Sequence, residues 1–218
     1  MFKVLSAANM QECADEFASM HRLRHRVFIE ELKWPVGFIR SVSGMEFDQF
    51  DIPFAHYIVR LNSEGQVDAC TRLLPTTGPY LLGDVFSHLI QTIERPNSPA
   101  IWETTRFCAD RRSAPKNIVG QLVAAMIEFG LAHGITNYVS VSDIRIEPLL
   151  RRHGWVPERI SKPWATGTDM AAGELFEVSW PMLEKVRIKS SIDGPLLPVS
   201  MTPLVHPTTK QTVHIGEI

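Results

Sequence analysis

The chain has 218 residues, 44% hydrophobic and 21% charged, with a formal net charge of −2. That is enough for one α/β domain or two small ones with a sizeable core, and the charge gives the chain as a whole no nucleic-acid signature. Three scattered cysteines, Cys13, Cys70 and Cys108, form no CxxC pair, which argues against a zinc ribbon or a disulfide framework and fits a reducing, cytoplasmic setting.

Phe2 to Leu5 reads as a short strand, without the apolar stretch of a signal peptide. From Asn9 to Leu32 the pattern is helical, with Asn9 as N-cap and Glu12 completing a capping box. An irregular stretch, Lys33 to Pro53, holds Pro35, Gly37 and Gly44, but also Trp34, Phe38, Phe47 and Phe50. A loop of that length and aromatic content is expected to be functional rather than a surface excursion. Phe54 to Leu61 and Val67 to Leu74 form a predicted hairpin around Asn62-Ser63-Glu64-Gly65. Leu81 to Ile93 is mixed and partly helical, and Ala100 to Cys108 is a strand.

Lys116 to His133 is the strongest helical segment, with Ile118, Leu122, Met126 and Phe129 on one stripe and Gly134 as its stop. Tyr138 to Val141 is a strand, Ile146 to His153 a short helix ended by Gly154, and Leu175 to Trp180 a last strand. No window reaches the roughly 18 consecutive apolar residues of a membrane span. After about Val186 the chain turns rich in Pro, Ser and Thr. The expected organisation is therefore one domain over 1–186, with 33–53 as a substrate-covering loop and 187–218 as a C-terminal tail. Helix, hairpin and then alternating strands and helices predict a mixed α/β sheet with helices packed on it.

Certain charges sit where apolar residues would be expected. At about 100° per residue, Arg24 falls in the middle of the stripe made by Phe17, Met20, Val27 and Phe28. Either it reaches water at the edge of the stripe or it meets a buried carboxylate. Glu46, Asp48 and Asp51 lie within six residues, interleaved with aromatic side chains. They could be a solvated acidic loop, a metal site (though the calcium-loop spacing is absent), or partners for Arg24 and for a cationic small molecule. Arg72 sits in the second hairpin strand. Glu103 and Arg106 share the strand Ile101 to Cys108, where strict alternation puts them on opposite faces unless a bulge near Thr104-Thr105 brings them together. His25, His56, His133 and His153 have no metal-ligand spacing, and no metal is expected.

Taken together, Leu23-Arg24-His25-Arg26-Val27-Phe28, Trp34, Gly44-Met45-Glu46-Phe47-Asp48-Gln49-Phe50-Asp51, Thr71-Arg72-Leu73-Leu74-Pro75-Thr76 and Trp102-Glu103-Thr104-Thr105-Arg106-Phe107 resemble the acyl-homoserine-lactone synthases of bacterial quorum sensing. The resemblance runs from about Phe2 to Trp180. It implies a fold related to the GCN5-type N-acyltransferases, a three-layer sandwich. It also implies S-adenosylmethionine as the amine substrate, an acyl carrier protein or coenzyme A as acyl donor, and no cofactor. The methionyl amine would attack the thioester, and the carboxylate would then displace methylthioadenosine to close the lactone.

By the same resemblance, Arg24, Phe28, Trp34, Asp48, Arg72, Glu103, Arg106 and Phe107 surround S-adenosylmethionine, while Glu46 and Asp51 hold the loop. Glu103, Asp48 and Arg106 are the candidate catalytic group. Glu103 is the general base, reached through water, with Asp48 the second choice. The strand backbone around Phe107 is expected to meet the developing oxyanion. Leu122, Met126, Phe129, Val139 and Val141 are candidates for the acyl-chain pocket. Val139, or with a shift of one residue Ser140, falls where some members carry a Thr associated with 3-oxo chains, and the missing Thr implies an unsubstituted or 3-hydroxy chain. Arg111, Arg112 and Lys116 replace the glycine-rich phosphate loop of the wider acetyltransferase class and are candidate contacts to a carrier protein. Two other readings fit less of this pattern: a GCN5-type acyltransferase acting on another amine, and a non-catalytic S-adenosylmethionine-binding module.

Overall fold

In a computed structural model describing residues 1–34, 39–166 and 169–198, the chain opens with β1 (Phe2–Leu5). A single 3-10 turn, Ala7–Asn9, follows. Ser6 caps it and Asn9 answers by accepting from the Ser6 amide, so the capping box lies three residues earlier than the sequence suggested. Helix α1 (Ala14–Arg24) starts only at Ala14 and runs into a π-helical segment, His25–Glu31. The wider turn lets the Trp34 amide reach back to the Phe28 carbonyl. The described part of the 33–53 stretch is not wholly irregular, because β2 (Arg40–Val42) and β3 (Met45–Phe47) pair as a small separate hairpin. Pro35, Gly37 and Phe38 lie outside the described residues.

The predicted hairpin is present as β4 (His56–Leu61) and β5 (Val67–Pro75). All nine residues of β5 are buried, as expected for a strand covered on both faces. Helix α2 (Leu81–Asp84) is one turn, and β6 (Ile101–Ala109) follows. Helix α3 (Ile118–Ala132) stops where Gly134 turns left-handed at φ +69. Then come β7 (Asn137–Asp143), α4 (Glu147–Arg152), the short strands β8 (Glu158–Arg159) and β9 (Trp164–Thr166), and β10 (Asp169–Glu177). Trp180 does not end a strand but starts α5 (Trp180–Ser190), capped by the Ser179 hydroxyl with Pro181 in its first turn. Position 186 falls inside that helix. Beyond it, the amides of Leu196 and Leu197 bond to Glu128 on α3, and Leu197 is buried.

Strands order as β1-β4-β5-β6-β7-β10-β8, with β9 on β10, in an eight-stranded sheet. Every pairing is antiparallel except β6 with β7. Helices cover both faces. Phe2, Val4, Ile58, Leu73, Trp102 and Tyr138 pack under α3, α4 and α5, and Leu5, Val59, Cys70, Leu74 and Val139 pack under α1 and α2. Close helix contact on the first face depends on Gly120, where an added Cβ would sit 2.0 Å from the Ser190 hydroxyl of α5.

The single parallel pair is short. It matches Ile101 to Asn137, Trp102 to Tyr138 and Glu103 to Val139, and goes no further. Between Cys70 and Arg72 on β5 the partner strand takes one residue more, stepping from Cys108 to Thr105. That is a β-bulge, with Arg106 in the left-handed region at φ +55. β6 and β7 therefore separate after Glu103, and the gap between them forms the site.

Candidate active site

Three arginines and three carboxylates fill the space between α1, the β2–β3 hairpin and the sheet. Arg24 is wholly buried. Its Nε donates to Glu46 Oε2 at 2.5 Å, and its two terminal nitrogens form a fork on Asp51 at 2.7 and 2.8 Å. Arg72, also wholly buried, makes a second fork on Asp48 at 2.5 and 2.9 Å, touches Asp51 at 3.0 Å, and donates Nε to Thr105 Oγ1 at 3.0 Å. Arg106 Nη2 lies 2.9 Å from Glu46 Oε1 and 2.6 Å from Asp48 Oδ2. Of the two fates open to Arg24 in the sequence, the buried pairing is the one observed.

The loop closes its own end of the network. The Asp48 amide donates to Asp51, the Phe50 amide to Asp48, and the Tyr57 hydroxyl to Asp51, each at 2.8 Å. His21 Nδ1 lies 2.7 Å from the Glu46 carbonyl oxygen and its ring stacks on Phe47. Burial alone would raise the Asp51 carboxyl, but Arg24 and Arg72 outweigh it and hold it well below the usual carboxylate range. Asp48 is likewise lowered against its burial, by Arg72 and then Arg106. The same burial would weaken Arg24, yet Asp51 and Glu46 keep it firmly charged.

The bulge explains how Arg106 joins this group. Thr105 contacts Arg72 and Arg106 contacts Glu46, so two successive side chains of β6 turn to the α1 face. The irregularity is one residue later than the sequence suggested, and it puts Glu103 and Arg106 on the same face. Phe28 and Trp34 stack with ring centres 4.9 Å apart. The Arg106 guanidinium lies 5.4 Å from the centre of the Phe28 ring and 5.9 Å from that of Trp34.

Glu103 is wholly buried and separate from the arginine network. Its two oxygens accept from the Leu81 and Leu82 amides at 2.8 and 2.5 Å. Burial pushes its carboxyl up to about 7, although those two hydrogen bonds pull the other way.

A cavity of about 590 Å3 passes through the gap between the strands. On the α1 side its wall is Phe28, Trp34, Leu81 and Arg106. On the α3 side it is Met126, Ile146, Leu150, Trp155 and Phe176, and Thr104, Phe107, Ser140 and Val141 stand along the gap itself. Of the expected acyl-pocket residues, Met126 and Val141 line it. Leu122 and Phe129 do not: they lie on the part of the α3 stripe that faces the sheet, where Phe129 packs near His56 and Trp102. Val139 points to the α1 face under α2 and is itself the last residue of β7 paired with β6. Arg111, Arg112 and Lys116 are exposed around the turn into α3, with Arg112 held by Asp110 at 3.1 Å. Among the described residues no cluster could hold a metal ion.

Sequence reasoning missed Tyr57, His21 and Trp155, whose apolar surroundings made them ordinary core. It also gave no role to Thr105, which stood in plain view beside Arg106, or to Ser142, and named Ser140 only as the alternative to Val139 at the Thr position. Tyr57 and Thr105 complete the ligation of Asp51 and Arg72. A buried fork leaves lone pairs and N–H groups to satisfy, and that need was a usable signal.

Comparison with known proteins agrees with this geometry. Residues 8–186 match the family described as autoinducer synthase. An acyl-homoserine-lactone synthase of Agrobacterium fabrum is 36% identical over 164 residues, covering 72% of this chain and 76% of its own. Among solved structures, the CoA-dependent acyl-homoserine lactone synthase BjaI, determined with S-adenosylmethionine and isopentyl-CoA, is 26% identical. It superposes with a TM-score of 0.84 over 94% of this chain and 95% of its own. An N-acetyltransferase-like protein from Lactobacillus plantarum, 16% identical with a TM-score of 0.54 over 82% of this chain and 99% of its own, shares the fold. The buried arginine network, the bulged and splayed strand pair and these matches together place the chain in the autoinducer synthase family, among the acyl-homoserine-lactone synthases.

Proposed function

We propose that this protein acylates S-adenosylmethionine from an acyl thioester and closes the product to an acyl-homoserine lactone. The observation that carries the reading is the cavity through the splayed β6–β7 pair. It joins a charged, aromatic chamber on one face of the sheet to a largely apolar one on the other, with Asp143, Arg145 and Asp169 also in its lining. An amine substrate and a fatty acyl chain need these two environments, and the thioester carbon must lie where they meet. Phe28 and Trp34 supply faces for the adenine ring or the sulfonium.

Each step has a group suited to it. The substrate's ammonium must lose a proton before its nitrogen attacks the thioester carbon, and Glu103, held behind the Leu81 wall of the cavity with its carboxyl raised to about 7, is the base we assign to take that proton through water. Asp48 suits the role poorly, because Arg72 and Arg106 keep it ionised and occupied. Attack pushes the carbonyl electrons onto oxygen, which lies near the unpaired stretch of β6 around Phe107; the oxyanion then collapses, and the carbon–sulfur bond breaks with its electron pair leaving on the donor's thiolate. In the second step the substrate's carboxylate oxygen attacks the γ-carbon. The carbon–sulfonium bond breaks, and the pair of electrons leaves on methylthioadenosine. The leaving group is already activated in the substrate, so neither step calls for a resident cofactor.

The likeness to BjaI supports coenzyme A as the donor, with carrier protein as the competing arm of the test. Exposed Arg111, Arg112 and Lys116 would meet either donor's phosphates. The three free cysteines suit a cytoplasmic setting, and no described helix is long and apolar enough to cross a membrane. The deciding experiment incubates purified protein with S-adenosylmethionine and with acyl-CoA or acyl carrier protein, and follows methylthioadenosine and lactone by mass spectrometry. Equal amounts of both are expected. Acyl transfer without methylthioadenosine would point instead to an ordinary N-acyltransferase, and ligand binding without any transfer would point to a sensor.

A further inference from the structure

Two of the three cysteines face each other beside the arginine network and take no part in the chemistry above. Cys70 of β5 and Cys108 of β6 are direct partners in the antiparallel register, and their sulfurs lie 3.5 Å apart. They are the last matched pair before the β-bulge, and the Cys70 thiol also points at the Arg106 carbonyl oxygen, 3.7 Å away. Side chains two residues apart on a strand share a face, so Cys70 stands beside Arg72. Across the bulge Arg106 precedes Cys108 by two residues, and Arg24 and Glu46 are the charges that act on Cys108.

Directly opposed residues of an antiparallel pair have Cα atoms about 4.5 or 5.5 Å apart, according to their place in the ladder. Both values fall within the roughly 4.4–6.8 Å that a disulfide spans, so the register allows a bond without re-pairing the strands. Making it draws the sulfurs from 3.5 Å to about 2.05 Å. The pair is shut off from bulk water, since Cys108 keeps 6% of its surface and Cys70 1%. An oxidant must therefore be little larger than water, and Cys108 is the thiol it meets first. Burial pushes the Cys108 thiol up, so little thiolate is present and the reaction is slow. Such a pair answers sustained oxidation.

We propose that Cys70 and Cys108 are an oxidation site, joined reversibly by a small hydroperoxide, and that the bond weakens the S-adenosylmethionine chamber above it. The Cys108 sulfur takes one oxygen of the hydroperoxide and becomes a sulfenic acid, while the other oxygen leaves as water or, from an alkyl hydroperoxide, as the alcohol. The Cys70 sulfur then attacks that sulfur. The sulfur–sulfur bond forms, the sulfur–oxygen bond breaks, and the oxygen leaves as water with the Cys70 proton. The two thiols together give up two electrons, and the hydroperoxide takes both. A transient bond of this kind is compatible with a reducing compartment. Closing it shifts Arg106 relative to Glu46, Asp48 and the rings of Phe28 and Trp34. This consequence rests on the reading of that chamber as the S-adenosylmethionine site.

The test treats the purified full chain, carrying Cys13→Ser to remove the third thiol, with hydrogen peroxide and maps its peptides without reduction. A peptide joining Cys70 to Cys108, two hydrogens lighter than its parts, is expected. Calorimetry should then show S-adenosylmethionine binding weakened by about tenfold or more, since a shift near 1 Å at a binding group has effects of that order. Dithiothreitol should restore it. Cys70→Ala and Cys108→Ala should bind like the reduced protein and keep that affinity in peroxide. Absence of the joined peptide, under peroxide that oxidises the urea-unfolded chain, overturns the proposal. So does a joined peptide with unchanged affinity, or an equal loss of affinity in folded Cys70→Ala. If neither alanine variant folds, the peptide map and the dithiothreitol reversal decide. A reduced protein that does not bind S-adenosylmethionine would remove the functional reading and this control with it. Binding without lactone formation would remove the synthase reading alone.

Discussion

Arg24 shows what a single residue commits the molecule to. Its guanidinium satisfies Glu46 and Asp51 at once with no access to water. Arg24→Ala would strip Glu46 and Asp51 of the buried cation they share, leaving Glu46 to Arg106 and Asp51 to a single contact from Arg72. The expected cost is about 3–5 kcal/mol of folding stability, read by urea denaturation of the purified variant. Glu103 carries a different prediction. Its carboxyl is raised from 4.5 to about 7, so between those values the folded chain holds a proton that the unfolded chain has released. Its contribution to stability is complete below about 4.5 and is lost as pH rises through about 7. Catalysis runs the opposite way, because a base must be ionised. The rate should climb through about pH 7, and Glu103→Gln should lose both that limb and most of kcat, by about 100-fold or more. A pH–rate profile of the two proteins decides it.

At this scale much of the site was legible. A charge in the middle of an apolar helical stripe has few explanations, and three carboxylates among aromatics supply one. The contact between Cys70 and Cys108 was not legible, because cysteines 38 positions apart say nothing of which strands pair or in what register.

Among elements, the bulge in β6 matters most, since it turns Thr105 and Arg106 to one side and opens the gap that the cavity fills. Its existence could be anticipated from the need to unite Glu103 and Arg106, but its position could not, since the left-handed residue is an arginine rather than a glycine. The helix ends were legible at Gly134 and Gly154. The start of α1 was not, because Ser6 and Asn9 spend their capping on the 3-10 turn Ala7–Asn9, and α1 begins behind Cys13, whose side chain makes no cap hydrogen bond. Helix α5 was missed because Trp180-Pro181 reads as a stop, although Pro in a first turn is a start signal. A test at this level is Gly173 on β10. An added Cβ would sit 2.2 Å from the Leu89 carbonyl oxygen, a backbone atom that cannot swing away. Gly173→Ala should push β10 from the turn beside α2 and lower the melting temperature by about 5 °C or more, measured by circular dichroism.

For the whole molecule, the sheet order makes the site depend on tertiary assembly. Arg24, Glu46, Asp51, Arg72 and Arg106 come from α1, the small hairpin, the loop after it and two central strands, and each ion pair joins residues at least 21 positions apart. The overall class, a mixed sheet under helices, followed from the alternation of patterns along the chain. The parallel join between β6 and β7 did not, because hydrophobic pattern carries no information on strand direction.

The arginine network has one more consequence, for how a charged molecule approaches it. Arg24, Arg72 and Arg106 are matched one for one by Glu46, Asp48 and Asp51, so the chamber presents no net field of its own, and the chain is close to neutral at −2. Long-range steering needs an uncompensated charge, and short-range pairs held out of water are little screened by salt. Capture of a cationic substrate should therefore be almost indifferent to ionic strength. The KM for S-adenosylmethionine is expected to change by less than about twofold between about 0.05 and 0.5 M sodium chloride, which makes the first encounter a matter of diffusion and shape.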